Sequence, residues 1–290
     1  RGEALPERAN PAGNFRVLTL GDSFTLGFTV SEHDLFAEQL ERWWRSENRR
    51  VDVVNAGTQG YSTDQAVLWA ERNGADFGPN LVLLFPYEND IYWNGQGTYQ
   101  TSPKPLYSPA GTLETGELEK PPGRGLLGNT AIGRLFEKKR GGDTFVPPGS
   151  DKPILREFGP LLTDRPDFMA DPEARTRGAL IALERTCAEL GAKLVVVPIP
   201  SHSAVDPKFA AERFGPKVLG LAGTAWDPNR PVEFFLSACD ELGIATLDPR
   251  KALRDRIAGG EQVYYDRDWH LNPNGNAVLA EFLHDGLDGL

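Results

Sequence analysis

The chain has 290 residues and a mass of 31.9 kDa, with 31 Lys and Arg against 41 Asp and Glu, a net charge of −10. That balance argues against a nucleic-acid groove or an anionic membrane surface, both of which want a basic face. With 40% hydrophobic and 25% charged residues, the composition is that of a soluble globular chain with a real core, not a disordered one.

Five short apolar runs mark strands, in chain order Phe15–Leu20, Val51–Asn55, Leu81–Pro86, Lys193–Ile199 and Ile244–Leu247. Their continuous hydrophobicity suits a parallel sheet covered on both faces. After the first strand, Ser31-Glu32-His33-Asp34 reads as a capping box for a helix carrying Phe36, Leu40, Trp43 and Trp44. Residues 91–170 break the rhythm. Pro103, Pro105, Pro109, Pro121, Pro122, Pro147, Pro148, Pro153, Pro160 and Pro166 predict a long irregular insertion, with one short helix near Ala131–Lys139. Asp171-Pro172-Glu173 then reads as a helix cap with proline at the first helical position, and Gly191 as that helix's close. Cys187 and Cys239 fall on the apolar stripes of helices, which predicts buried thiols and no disulfide or cysteine zinc site. Asn272-Pro273 opens a last helix. Alternating strands and helices of these lengths predict a three-layer αβα sandwich of about five parallel strands, folded as a single domain over 1–290. The longest apolar runs, Leu81–Phe85 and Leu194–Val197, are too short to span a membrane. The sequence begins with Arg1 and not Met, which is expected of a processed or trimmed product.

In open α/β sheets the working groups lie beyond the carboxyl ends of the strands, and four marked sequences fall there. Gly21-Asp22-Ser23-Phe24-Thr25-Leu26-Gly27 follows the first strand, so the serine and its own N–H project outward at a helix start. Asn55-Ala56-Gly57-Thr58-Gln59-Gly60-Tyr61-Ser62 follows the second, where Gly60 can bring a bare N–H close to a ligand. Glu88-Asn89-Asp90 follows the third, and a carboxamide can stabilise negative charge without titrating. Before the last helix comes Tyr265-Asp266-Arg267-Asp268-Trp269-His270, a histidine with neighbouring acids, as a general base and its orienting partner require. Taken singly these read equally well as turns and caps.

Together, in this order, the four blocks resemble the SGNH (GDSL) hydrolase superfamily, over about Phe15–Asp90 and from about Val263 onward. The resemblance implies a flavodoxin-like sandwich and a serine esterase that needs neither metal nor organic cofactor. Carried over by motif, Ser23 is the nucleophile and His270 the base. The N–H groups of Ser23 and Gly60 and the side chain of Asn89 form the oxyanion hole. Many members place the acid three residues before the histidine, where this chain has Arg267. Asp268 is therefore the expected acid, with Asp266 in reserve.

Tyr87, Tyr92, Trp93 and Tyr99 cluster beside Asn89, where aromatic faces can stack on sugar rings as readily as on each other. Tyr87, Tyr92 and Trp93 of this cluster, with Asp22 and His202, are the candidate substrate-binding residues. The expected substrate is a small acyl group, such as acetyl, on a glycan; a glycan substrate and the missing start residue favour an extracytoplasmic location. His33 and His284 are expected to be solvated, and Ser62 to be a cleft residue without an adjacent acid and histidine. Two alternatives share the residues: O-acyl transfer between polysaccharides, and a non-catalytic glycan-binding member of the fold. A nucleotide-binding module fits poorly, because Gly21–Gly27 lacks a phosphate-anchoring lysine.

Overall fold

The computed structural model describes residues 10, 13–99, 102–114, 143–150, 152–221 and 225–288. The expected helix at 131–139 lies outside them. The five expected strands form one parallel sheet: β1 Phe15–Gly21, β2 Val51–Asn55, β3 Leu81–Phe85, β4 Lys193–Val196 and β5 Ala245–Thr246. Their spatial order is β5-β4-β3-β1-β2, the flavodoxin-like order, which reverses direction between β1 and β3. Register fixes the floor of that switch point: Gly21 pairs with Phe85, and Thr19 with Asn55.

Side chains alternate across the sheet, as the two-residue period requires. Val17, Leu81, Leu83 and Phe85 point into one core, against helices α1 Phe36–Ser46, α5 Arg250–Ala258 and α6 Pro273–Gly286. Leu18, Leu20, Val82 and Leu84 point into the other, against α2 Thr63–Phe77, α3 Ala170–Leu190 and α4 Arg230–Leu242. Both faces are covered, so β3 is buried at every position. Cys187 and Cys239 are buried as expected, and burial pushes both thiols up to about 12. No helix among the described residues is long and apolar enough to cross a membrane.

The ends of several elements differ from the sequence reading. The two edge-side strands are shorter than their apolar runs, although Val197 and Ile199 still donate to the Leu84 and Pro86 carbonyls. Ser31 precedes a short 3-10 turn over Glu32–Asp34 and hydrogen-bonds Asp34, so it caps no long helix. The first free amide of α1, on Phe36, instead donates to Oδ1 of Asn276 on α6. A side chain 240 residues away does the work of a local cap, which explains why the sequence misleads there. Likewise α3 begins at Ala170, out of a 3-10 turn over Asp167–Met169, with Asp171, Pro172 and Glu173 inside its first turn. Asp171 pairs with Arg175, and Glu173 with Arg165. Gly191 closes α3 at φ 69°, and Asn272 caps α6 by accepting from the Gly275 amide, both as expected.

Described parts of the insertion are two-residue hairpins, 98–99 with 102–103, 106–107 with 113–114 and 144–145 with 154–155, and 3-10 turns. One further core of Ile154, Leu161, Leu162, Phe209, Phe214 and Trp226 ties the insertion to the segment after β4. Trp269 packs against it.

Candidate active site

Ser23 opens a single helical turn, Ser23–Leu26, directly after β1. Gly21, at φ 157°, permits the sharp exit from the strand; a Cβ there would strike Thr25 and the Phe85 carbonyl. Asp22 caps the turn by accepting from the Phe24 amide at 2.9 Å. That carboxyl is buried, and burial pushes it up to about 7. A carboxyl raised that far carries less negative charge near pH 7 than an ordinary aspartate would beside Ser23.

The loop after β2 is clasped to this turn. Asn55 Nδ2 donates to the Thr25 carbonyl at 2.8 Å, Thr58 N donates to the Gly21 carbonyl at 3.0 Å, and Gly57 packs its backbone on that of Thr25 and Leu26. Gly60 follows at φ 75°, with the Tyr99 ring lying over it. After β3, Asn89 starts the single turn Asp90–Trp93. Glu88 and Asp90 flank it, and burial raises both carboxyls, Glu88 to about 7 and Asp90 well above its usual range.

Residues 23 and 270 are 247 positions apart in the chain, yet Ser23 Oγ lies 2.8 Å from His270 Nε2. The imidazole packs on Phe24 and, further off, on Phe28, with ring centroids 4.6 and 5.9 Å away. Burial lowers the pKa of His270 and Asp268 only partly opposes this, which favours the neutral ring. Asp268 Oδ1 accepts from the His270 backbone N–H at 3.1 Å and lies 3.7 Å from Nδ1, just beyond hydrogen-bond reach. This turn requires Trp269 at φ 62°, a costly conformation for a bulky residue. The Trp269 ring is held edge-on to Phe209 and Phe214, which stabilises the turn. Asp266 faces Arg213, at 3.8 Å, and not the imidazole.

The other expected residues fall differently. Tyr87 packs on Phe24 with the rings tilted by 33° and their centroids 4.7 Å apart. Tyr92 is buried, and its hydroxyl donates to Asp143 at 2.7 Å. Trp93 is half-buried, edge-on to Tyr99 at 4.9 Å, and donates from Nε1 to Glu157 at 3.0 Å. His202 is buried between the Phe209 and Tyr264 rings, with centroids 3.8 and 4.9 Å away, so both its faces are spent on packing. His33 is solvated as expected, but His284 is not. It stacks on Trp43 at 4.3 Å, with its ring nitrogens against Glu47 and Asp285. Ser62 is buried and binds Asp64. Sequence reasoning missed Lys104, Asp64 and Glu157, which pack behind and beside the Gly60 and Asn89 loops.

A doubly wound parallel sheet with a serine and an imidazole in hydrogen-bond contact at its switch point is the arrangement of a serine hydrolase. The chain belongs to the GDSL-like lipase/acylhydrolase family, whose profile matches residues 19–278, and is a serine esterase of that family. Among solved structures, AlAXEase, an acetyl xylan esterase, aligns over 94% of this chain and 100% of its own, with a TM-score of 0.52 and 13% identity. A mutant of an acetyl-xylooligosaccharide esterase from Geobacillus Stearmophilus aligns over 95% and 94%, with a TM-score of 0.52 and 10% identity. A psychrotrophic esterase from Pseudoalteromonas sp. aligns over 95% and 97%, with a TM-score of 0.50 and 11% identity. At such identities these similarities speak for the fold. No curated protein sequence matches the chain.

Proposed function

We propose that the chain, acting as one catalytic domain, removes a small acyl group such as acetyl from a carbohydrate hydroxyl through an acyl-Ser23 intermediate. The observation that carries this reading is the 2.8 Å contact between Ser23 Oγ and His270 Nε2. His270 Nε2 takes the hydroxyl proton as Oγ attacks the ester carbonyl carbon, and the carbonyl oxygen becomes an oxyanion. The Ser23 and Gly60 N–H groups and Asn89 Nδ2 donate to that oxyanion, each worth about 2.7–4 kcal/mol in such sites. Imidazolium then protonates the departing sugar oxygen as the C–O bond breaks. Water, deprotonated by the same nitrogen, attacks the acyl-serine, and the acid leaves with Ser23 restored.

For Oγ–H to donate to Nε2, the imidazole proton must sit on Nδ1, facing Asp268. Asp268 is accordingly the acid of this reading; a small rotation would close its 3.7 Å gap. Trp93 and Tyr99, beside Gly60, supply the aromatic surface for a pyranose ring, and the similarity to acetyl xylan esterases agrees with it. A glycan substrate favours a location outside the cytoplasm.

Product analysis tests the substrate: incubation with acetylated xylan is expected to release acetate, and kcat/KM on p-nitrophenyl esters to fall as the acyl chain lengthens. Rising kcat/KM with chain length and no acetate release would contradict it. Addition of an unacetylated oligosaccharide separates hydrolysis from transfer, because only transfer labels the acceptor. Asn89→Ala is expected to lower kcat by about 10²–10³-fold with a smaller change in KM, since its donor acts mainly on the transition state. Near wild-type kcat would remove Asn89 from the oxyanion hole.

A further inference from the structure

A buried ion pair lies behind the two loops that carry Gly60 and Asn89. Lys104, from the insertion, has a side chain 0% exposed, and its Nζ sits 2.7 Å from Asp64 Oδ2, itself 1% exposed on its side chain. The same ammonium donates to Ser62 Oγ at 2.7 Å and to the Trp93 carbonyl at 2.6 Å. The ammonium thus contacts three oxygens, on two chain segments, 62–64 and Trp93. Ser62 Oγ in turn donates to Asp64 Oδ1 at 2.7 Å. Two further bonds run alongside: Thr63 Oγ1 donates to Asp90 Oδ2 at 2.9 Å, and the Asp64 amide donates to Asn94 Oδ1 at 3.1 Å.

Ser62, Thr63 and Asp64 begin two residues after Gly60, while Asp90, Trp93 and Asn94 begin one residue after Asn89. The seam therefore joins two loops that the sheet alone leaves independent, since they follow different strands, β2 and β3, that are not neighbours. Desolvating two charges is costly, and a purely structural link between two loops could be made with apolar side chains. A directional, fully bonded link fixes distance and orientation more closely than apolar packing does, which is what hydrogen-bond donors aimed at one oxyanion require.

We infer that Lys104 is a positioning residue for the oxyanion hole, holding the Gly60 N–H and the Asn89 carboxamide in mutual register through Ser62, Asp64 and the Trp93 carbonyl. The inference rests on the reading of Gly60 and Asn89 as oxyanion donors. It gives the insertion a part in catalysis through a residue that touches no substrate.

The test compares the parent with Asp64→Asn/Lys104→Met, which removes both charges together, each with and without Asn89→Ala. Kinetics on p-nitrophenyl acetate are read beside glycine-selective amide spectra. The paired variant is expected to fold, to lose about tenfold in kcat with KM changed by less than about twofold, and to shift the Gly60 amide signal. In the Asn89→Ala background the same pair should lower kcat by less than about threefold, because one of the two donors whose mutual register it sets is already gone. Unchanged kcat in the folded paired variant, or an equal loss in both backgrounds, overturns the inference. If the paired variant does not fold, Ser62→Ala cuts one link without stranding a charge. A shifted Gly60 signal together with reduced kcat then supports the seam, and the absence of either one overturns it. Should the parent show no Ser23-dependent turnover, the oxyanion reading itself fails, and an unmoved Gly60 signal would separately show that the seam positions nothing.

Discussion

Ser23→Ala is expected to lower kcat on p-nitrophenyl acetate by about 10⁴-fold or more, with the thermal midpoint little changed. Ser23 is half-buried, and its hydroxyl hydrogen-bonds His270. The turn around it is held by other groups: Asp22 caps it, Gly27 closes it at φ 76°, and Phe24 fills the core beneath it. Removing one hydroxyl thus takes the attacking atom away and leaves the scaffold in place. A loss of only a few fold would mean that another group attacks. Ser62 and Ser201, the nearby serines of the Gly60 and post-β4 loops, are both buried and bonded to Asp64 and Ser203.

His270→Ala is expected to cost about as much, because serine and base act as a unit and the loss of either removes most of what both provide. The wild-type pH profile carries the same information. Burial against Phe24 holds the His270 pKa below its ordinary 6.5. Its neutral, proton-accepting form therefore persists below pH 6.5, and kcat/KM should decline only as pH falls through a midpoint under that value. A midpoint at or above 6.5 would mean that Asp268 stabilises the imidazolium in the free enzyme more than burial disfavours it. Asp268→Asn should reduce kcat well beyond Asp266→Asn, since Asp266 is turned to Arg213. The reverse ranking would exchange the two acids.

The sheet was legible because a parallel strand buried on both faces leaves an uninterrupted apolar run, as at Leu81–Phe85. The site's backbone logic was legible too, since a strand end followed by glycine, a polar side chain and a helix start says where groups project. What stayed hidden depends on distant partners. Asn276 caps α1, and Trp43 and Glu47 enclose His284, neither of which local spacing reveals. Lys104 sits between two prolines in a segment with no periodicity, so nothing in the sequence separates it from a solvated lysine; only Asp64, some forty positions earlier, gives it meaning. Trp269 at positive φ is equally opaque, because its turn is held by Phe209 and Phe214 from another segment.

The most direct test is to trap the covalent intermediate. Enzyme mixed with p-nitrophenyl acetate and quenched in acid within the first turnover is digested and mapped by mass spectrometry. The mechanism predicts one acetyl group, on the hydroxyl of residue 23, in amounts matching the burst of p-nitrophenol. Acetyl on any other side chain, or a burst with residue 23 unmodified, would contradict it.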